Sequence, residues 1–137
     1  MPPFSLRKID HVVLRVRDLP TSLHFYLAGL GCTMEKEQAT IGLYQVRAGD
    51  SLIDLVPVDE FLGRKGGAGP GKKGRNLDHF AIQVAPFDEA ALRAYFAEIG
   101  VPAEEFGQRY GAEGEGPSLY IRDPDGNLVE LKGPPAA

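Results

Sequence analysis

Ile9-Asp10-His11-Val12-Val13-Leu14-Arg15-Val16 returns further along the chain as Leu77-Asp78-His79-Phe80-Ala81-Ile82-Gln83-Val84. The offset between the histidines is 79 − 11 = 68 residues, about half of a chain of 137. Both stretches alternate between apolar and other side chains, the period of a half-buried strand. Val12, Leu14 and Val16 point to one side; His11, Val13 and Arg15 point to the other. Two of the three histidines of the protein therefore stand at equivalent places in two copies of one pattern.

The copies continue beyond these strands. Asp18-Leu19-Pro20-Thr21-Ser22 is a helix start with proline in the first turn. Leu23, Leu27 and Leu30 would form the apolar stripe of that helix, and Gly31 its stop. In the second half the helix starts at Phe87 or Asp88, with Leu92, Phe96 and Ile99 as stripe and Gly100 as stop. The stripes and stops match at an offset of 69, so one residue is inserted between strand and helix. Strands are then predicted over 31–38, 41–48 and 51–57, and over 101–108, 118–122 and 127–132. Gly49-Asp50 and Asp123-Pro124-Asp125-Gly126 supply turns. Each half reads βαβββ, in modules 7–57 and 76–132 of a single domain spanning 1–137.

The connection, residues 58–75, differs in kind. From Gly63 to Arg75 it holds six glycines, five Lys or Arg and no acid. A mobile surface loop is expected. Gly66 to Lys73 comes close to a phosphate-cradling loop. However, Lys73 stands where Ser or Thr would reach magnesium, and a strand rather than a helix follows. An inert linker is the simpler expectation, and a basic lid over an anionic substrate the alternative. A shorter glycine-rich stretch runs from Gly107 to Gly116.

Composition restricts the function classes. The net charge of −4 argues against a nucleic-acid partner. Nothing resembles a signal peptide or a membrane span, and the single Cys32 cannot form an internal disulfide. A cytoplasmic protein is expected. Cys32 reads as a small buried side chain, and His24 as a solvated one.

Each half also ends in a strand with an embedded acid, Asp54 in Leu52-Ile53-Asp54-Leu55-Val56 and Glu130 in Leu128-Val129-Glu130-Leu131. A carboxylate between apolar neighbours is costly to bury without a partner. With His11 and His79 these acids make a set suited to a divalent first-row metal: Zn, Ni, Fe(II), Mn or Co. The alternative is that the histidines are structural and the acids pair with Arg15 or Lys132.

Two βαβββ modules, each headed by a His strand and closed by an acid strand, resemble the vicinal oxygen chelate superfamily. The ending Tyr120-Ile121-Arg122-Asp123-Pro124-Asp125-Gly126-Asn127-Leu128-Val129-Glu130 adds to that likeness. The superfamily includes glyoxalase I, bleomycin-resistance proteins, fosfomycin-resistance transferases and extradiol dioxygenases. The resemblance covers Arg7 to Lys132. It implies an α+β fold in which tandem modules form a curved, cup-shaped mixed sheet with helices on the outer face. It implies His11, His79 and Glu130 as metal ligands. Asp54 falls where glyoxalase I-like members usually have Glu as a fourth ligand, and is expected to act through water or as a base. Asp54 and Glu130 are the expected catalytic carboxylates, and Tyr120, Arg15 and Arg109 the expected substrate contacts.

Val13 and Tyr110 replace the Thr and Lys usual in the fosfomycin branch. The expected activity is therefore that of a metal-dependent, glyoxalase I-like enzyme acting on a small oxygen-chelating substrate. The alternatives are an extradiol-type Fe(II) dioxygenase and a metal-free binding protein of the bleomycin-resistance type. A homodimer sharing its sites between chains is also implied.

Overall fold

The computed structural model describes residues 1–135. The chain divides into two compact units, with the boundary between Gly69 and Pro70. The first unit contains β1 (His11–Val16), α1 (Leu19–His24), β2 (Thr33–Gln38), β3 (Leu43–Ala48) and β4 (Ser51–Pro57). The second contains β5 (His79–Gln83), α2 (Glu89–Glu98), β6 (Ala103–Gly111), β7 (Gly114–Arg122) and β8 (Leu128–Lys132). Each is βαβββ with a four-stranded mixed sheet, ordered β1-β4-β3-β2 in one and β5-β8-β7-β6 in the other. The first and last strands of each unit run parallel, and the remaining pairs are antiparallel.

Alternation sorts each sheet into two faces. In the first unit Leu14, Val16, Tyr44, Val46, Ile53 and Leu55 are buried on the face opposite His11. In the second unit Leu119, Ile121, Val129 and Leu131 are buried in the same way. Asp18 caps α1 by accepting from the Thr21 amide at 3.1 Å, and Asp88 caps α2 by accepting from Ala91 at 3.0 Å.

The first helix does not present its expected stripe. From cap to glycine stop it spans 31 − 18 = 13 positions, against 100 − 88 = 12 in the second. The extra residue is taken up as a π-turn over Phe25–Gly29. The buried face is set ahead of that turn: counted from the capping aspartates, Ser22 and Tyr26 stand where α2 has Leu92 and Phe96, and Ser22, Phe25 and Tyr26 are buried while Leu23, Leu27 and Leu30 are only half-buried. In α2, Phe96 is buried, but Ile99 is exposed at the end of the helix.

The connection is less free than its glycines suggest. A 3-10 turn forms at Gly63–Gly66, and Gly71 and Gly74 exchange backbone hydrogen bonds. Arg15 donates to the carbonyls of Gly63, Ala68 and Gly67 at 3.0, 2.8 and 2.6 Å. Any side chain at Gly66 would collide with that guanidinium. Residues 107–116 are mostly strand, with a turn only at Ala112-Glu113. They form the paired ends of β6 and β7, closed by Gly111 opposite Gly114.

The β7–β8 turn shows what Asp123-Pro124-Asp125-Gly126-Asn127 accomplishes. One Asp123 oxygen accepts from the amides of Asp125 and Asn127 at 3.0 and 2.8 Å, and the other from the Asn127 side chain at 2.8 Å. Gly126 supplies the left-handed backbone at φ +82°. This turn holds Tyr120 opposite Glu130 in the ladder. Asp123→Ala should cost about 2–3 kcal/mol, because it leaves buried donors unpaired. Asp50→Ala, in the exposed β3–β4 turn, should cost less than about 0.5 kcal/mol. Urea unfolding of both variants checks the difference.

Candidate functional site

Strand register places the histidines and acids. In β1 and β4, Val13 pairs with Asp54; in β5 and β8, Ala81 pairs with Glu130. Each histidine lies two residues before the partner of its acid, and therefore on the same face as the acid. His11 Nε2 lies 3.8 Å from Asp54 Oδ2, and His79 Nε2 lies 3.3 Å from Glu130 Oε1. Asp54 and Glu130 are only 3% and 6% exposed, while both imidazoles are partly open to solvent.

The aspartate before each histidine has a definite role. Asp10 holds His11 Nδ1 at 2.7 Å, and Asp78 holds His79 Nδ1 at 2.5 Å. A carboxylate at Nδ1 favours the tautomer with its proton there, the form in which Nε2 can bind a ligand. The bond to Asp10, followed by the Asp54 charge, raises the His11 pKa above its ordinary value.

The antiparallel neighbour of each acid strand completes the set. Gln45, opposite Asp54, donates its amide to both carboxylate oxygens at 3.2 Å. Tyr120, opposite Glu130, donates its hydroxyl to Oε1 at 3.0 Å, and Ser118 donates to Oε2 at 2.7 Å. Burial and the bond to Glu130 raise the Tyr120 pKa. The Tyr120 ring also meets His79 edge to face, with centroids 6.0 Å apart.

These partners differ from the structural alternative in which Arg15 or Lys132 neutralises the acids. Arg15 lies instead on the connection, where three loop carbonyls saturate one side of its guanidinium. Lys132 donates to the carbonyls of Arg109 and Gly116. Arg109 lies with its guanidinium carbon 5.8 Å from the Tyr120 ring centre. His24 is exposed, and Cys32 is half-buried with its thiol pKa pushed up by burial.

Asp10, Asp78, Gln45 and Ser118 were not singled out from the sequence. The first two stand inside the repeated motif, so their signal was present. Gln45 and Ser118 emerge only once β3 and β7 are registered against the acid strands.

The donors suit a first-row ion in kind. Two ligands about 2.1 Å from such an ion sit roughly 3.0–3.4 Å apart. The His79–Glu130 spacing falls within that range, and the His11–Asp54 spacing exceeds it, as the shorter aspartate would cause. Among the described residues no group of three such side chains comes together. No helix among them is long and apolar enough to cross a membrane.

Comparison with known proteins places this geometry. The family model for the Glyoxalase/Bleomycin resistance protein/Dioxygenase superfamily matches residues 8–131. A virulence protein of Salmonella typhimurium is 32% identical over 127 residues, covering 90% of this chain and 82% of that protein. The crystal structure of a virulence protein from that organism matches with a TM-score of 0.75 at 25% identity, over 96% of this chain and 99% of the other. An integron cassette protein from V. cholerae matches at 0.71 and 26% identity, over 95% and 97%. Lactoylglutathione lyase from Agrobacterium tumefaciens shares the fold, with a TM-score of 0.63 at 21% identity over 96% of each chain. The chain belongs to the glyoxalase/bleomycin resistance protein/dioxygenase superfamily, also called the vicinal oxygen chelate superfamily.

Proposed function

We propose that the protein is a metal-dependent enzyme of glyoxalase I-like type, acting on a small molecule with vicinal oxygens. The observation that carries this is the duplicated arrangement at the two histidines. Each has its Nδ1 held by the preceding aspartate and its Nε2 facing a nearly buried carboxylate. A purely structural histidine needs no such control of its tautomer, whereas a ligand does.

In this reading His11, His79 and Glu130 hold a divalent ion: Zn, Ni, Mn, Fe(II) or Co. Bound there, the ion supplies Lewis-acid polarisation of the substrate oxygens. The protein supplies the proton chemistry. Asp54, held at both oxygens by the Gln45 amide, is the base that takes a proton from the substrate carbon. Tyr120 keeps its hydroxyl proton, since its pKa is raised, and orients Glu130 by donating to it. Arg109, beside the Tyr120 ring, supplies positive charge for the bound substrate.

One observation favours a metal-free binding protein as the second reading: both carboxylates already accept hydrogen bonds within the chain. Dialysis of untagged protein against Zn, Ni, Mn and Fe(II) in turn separates the two. The enzyme reading expects stoichiometric uptake of at least one ion and a rise in Tm. It also expects His79→Ala and Glu130→Gln to weaken binding at least about tenfold. Substoichiometric uptake of every ion, with no rise in Tm, would sink the metal claim and leave the binding-protein reading.

Protonation gives a second check. A raised His11 pKa means that the imidazole keeps its proton to higher pH. An ion must displace that proton, so affinity should fall as pH drops through the His11 midpoint. NMR titration of the metal-free protein should place this midpoint above the ordinary histidine value. Asp10→Asn should lower it, because the Asp10 bond is the largest cause of the shift. An unchanged midpoint in Asp10→Asn would rule out that assignment.

A further inference from the structure

The second unit buries a positive charge that, among the described residues, makes no ion pair with an acid. Lys132 is 7% exposed, yet among the described residues its ammonium has only main-chain partners, the carbonyls of Arg109 at 2.7 Å and Gly116 at 3.0 Å. An ammonium has three N–H donors, so one remains. Burying an ammonium without a direct ion pair is costly, and two neutral carbonyls only partly offset this. A methionine would fill the same space at no electrostatic cost, so packing alone does not account for a lysine.

Its surroundings share one character. Lys132 stands two residues after Glu130, on the face of the sheet that carries Glu130. In register it pairs with Ser118, the residue that donates to Glu130. On the other side of Ser118 the ladder partner is Gly107. A side chain at Gly107 would overlap the Arg109 guanidinium, so that guanidinium occupies the space above the glycine. The acid nearest Arg109 is Glu105, a loose 3.7 Å contact that is 73% exposed and worth little. The Lys132 side chain runs across Gly111 to the carbonyls of Arg109 and Gly116, and the Arg109 guanidinium lies over Gly107, so both cations stand on the sheet face that carries the His79–Glu130 pair.

We propose that Lys132 and Arg109 form an anion subsite, so that the substrate is a small organic anion whose carboxylate or phosphate group docks between them. This deepens the reading of an oxygen-chelating substrate and rests on it only for the identity of the reacting end. The anion subsite itself belongs to the protein chain and needs no metal. A carboxylate there would take the remaining Lys132 N–H and a guanidinium N–H, both charge-assisted. It would also neutralise the buried charge.

The test uses the full chain in EDTA, so that metal binding plays no part. Backbone amide shifts are followed during titration with inorganic phosphate, with glycolate, and with ethylene glycol as a neutral molecule carrying the same vicinal oxygens. Saturable shifts at residues 107–118 and 130–133 are expected with phosphate and glycolate, and none with ethylene glycol. Lys132→Met should weaken both anions at least about tenfold, and Lys132→Arg should retain most of the affinity. If Lys132→Met does not fold, Arg109→Gln serves instead and should show a comparable loss. Anion affinity unchanged in the folded variant, shifts lying elsewhere, or equal binding of ethylene glycol would overturn the proposal. Failure of metal uptake leaves this result untouched.

Discussion

Parallel pairing of the first and last strand in each unit is the constraint on which the site depends. Val13 against Asp54 and Ala81 against Glu130 bring a histidine and an acid, far apart in the chain, onto one face of one sheet. A slip of one residue would turn the acid into the apolar face and break the pair. The register is itself protected by features that looked like mere punctuation. Asp123 ties three donors of the β7–β8 turn, and this fixes Tyr120 opposite Glu130.

The two units use the same geometry with different chemistry. Glu130 is held by two hydroxyls, from Ser118 and Tyr120, and comes within 3.3 Å of His79. Asp54 is held by one amide and stands 3.8 Å from His11. A longer carboxylate with rotatable hydroxyl donors can turn toward a ligand position. A shorter one fixed by an amide at both oxygens stays back, which suits a base. The repeat thus gives two equivalent frames that differ in the acid and in the side chains that hold it. The two frames also differ at the position two residues after each acid, where β8 has Lys132 and β4 has the apolar Val56.

Much of this was legible in the sequence because a repeat reports on itself. The His strand, the capping aspartates, the glycine stops and the terminal acids all recur, and each became the element expected of it. The stripe expected at α1 was one residue out, because the caps set the register of its first turns and the added residue is taken up later, in the π-turn at Phe25–Gly29. Periodicity assumes a constant turn and cannot register such an insertion. Arg15 shows a different limit. Its place on the His face was correct, but long-range contacts to loop carbonyls leave no trace in strand alternation. Gln45 and Ser118 depend on cross-strand register, which is a pairwise property of two segments.

Control of the histidine tautomer is the central claim, and ring-nitrogen NMR addresses it directly. In long-range proton–nitrogen spectra recorded while Zn(II) is added, the Nε2 signals of His11 and His79 should move together and saturate at the same point. Those of Nδ1 should keep their protonated character, and His24 should not respond. Ring signals of His11 and His79 that stay fixed through excess zinc, or a response from Nδ1 in place of Nε2, would contradict the account.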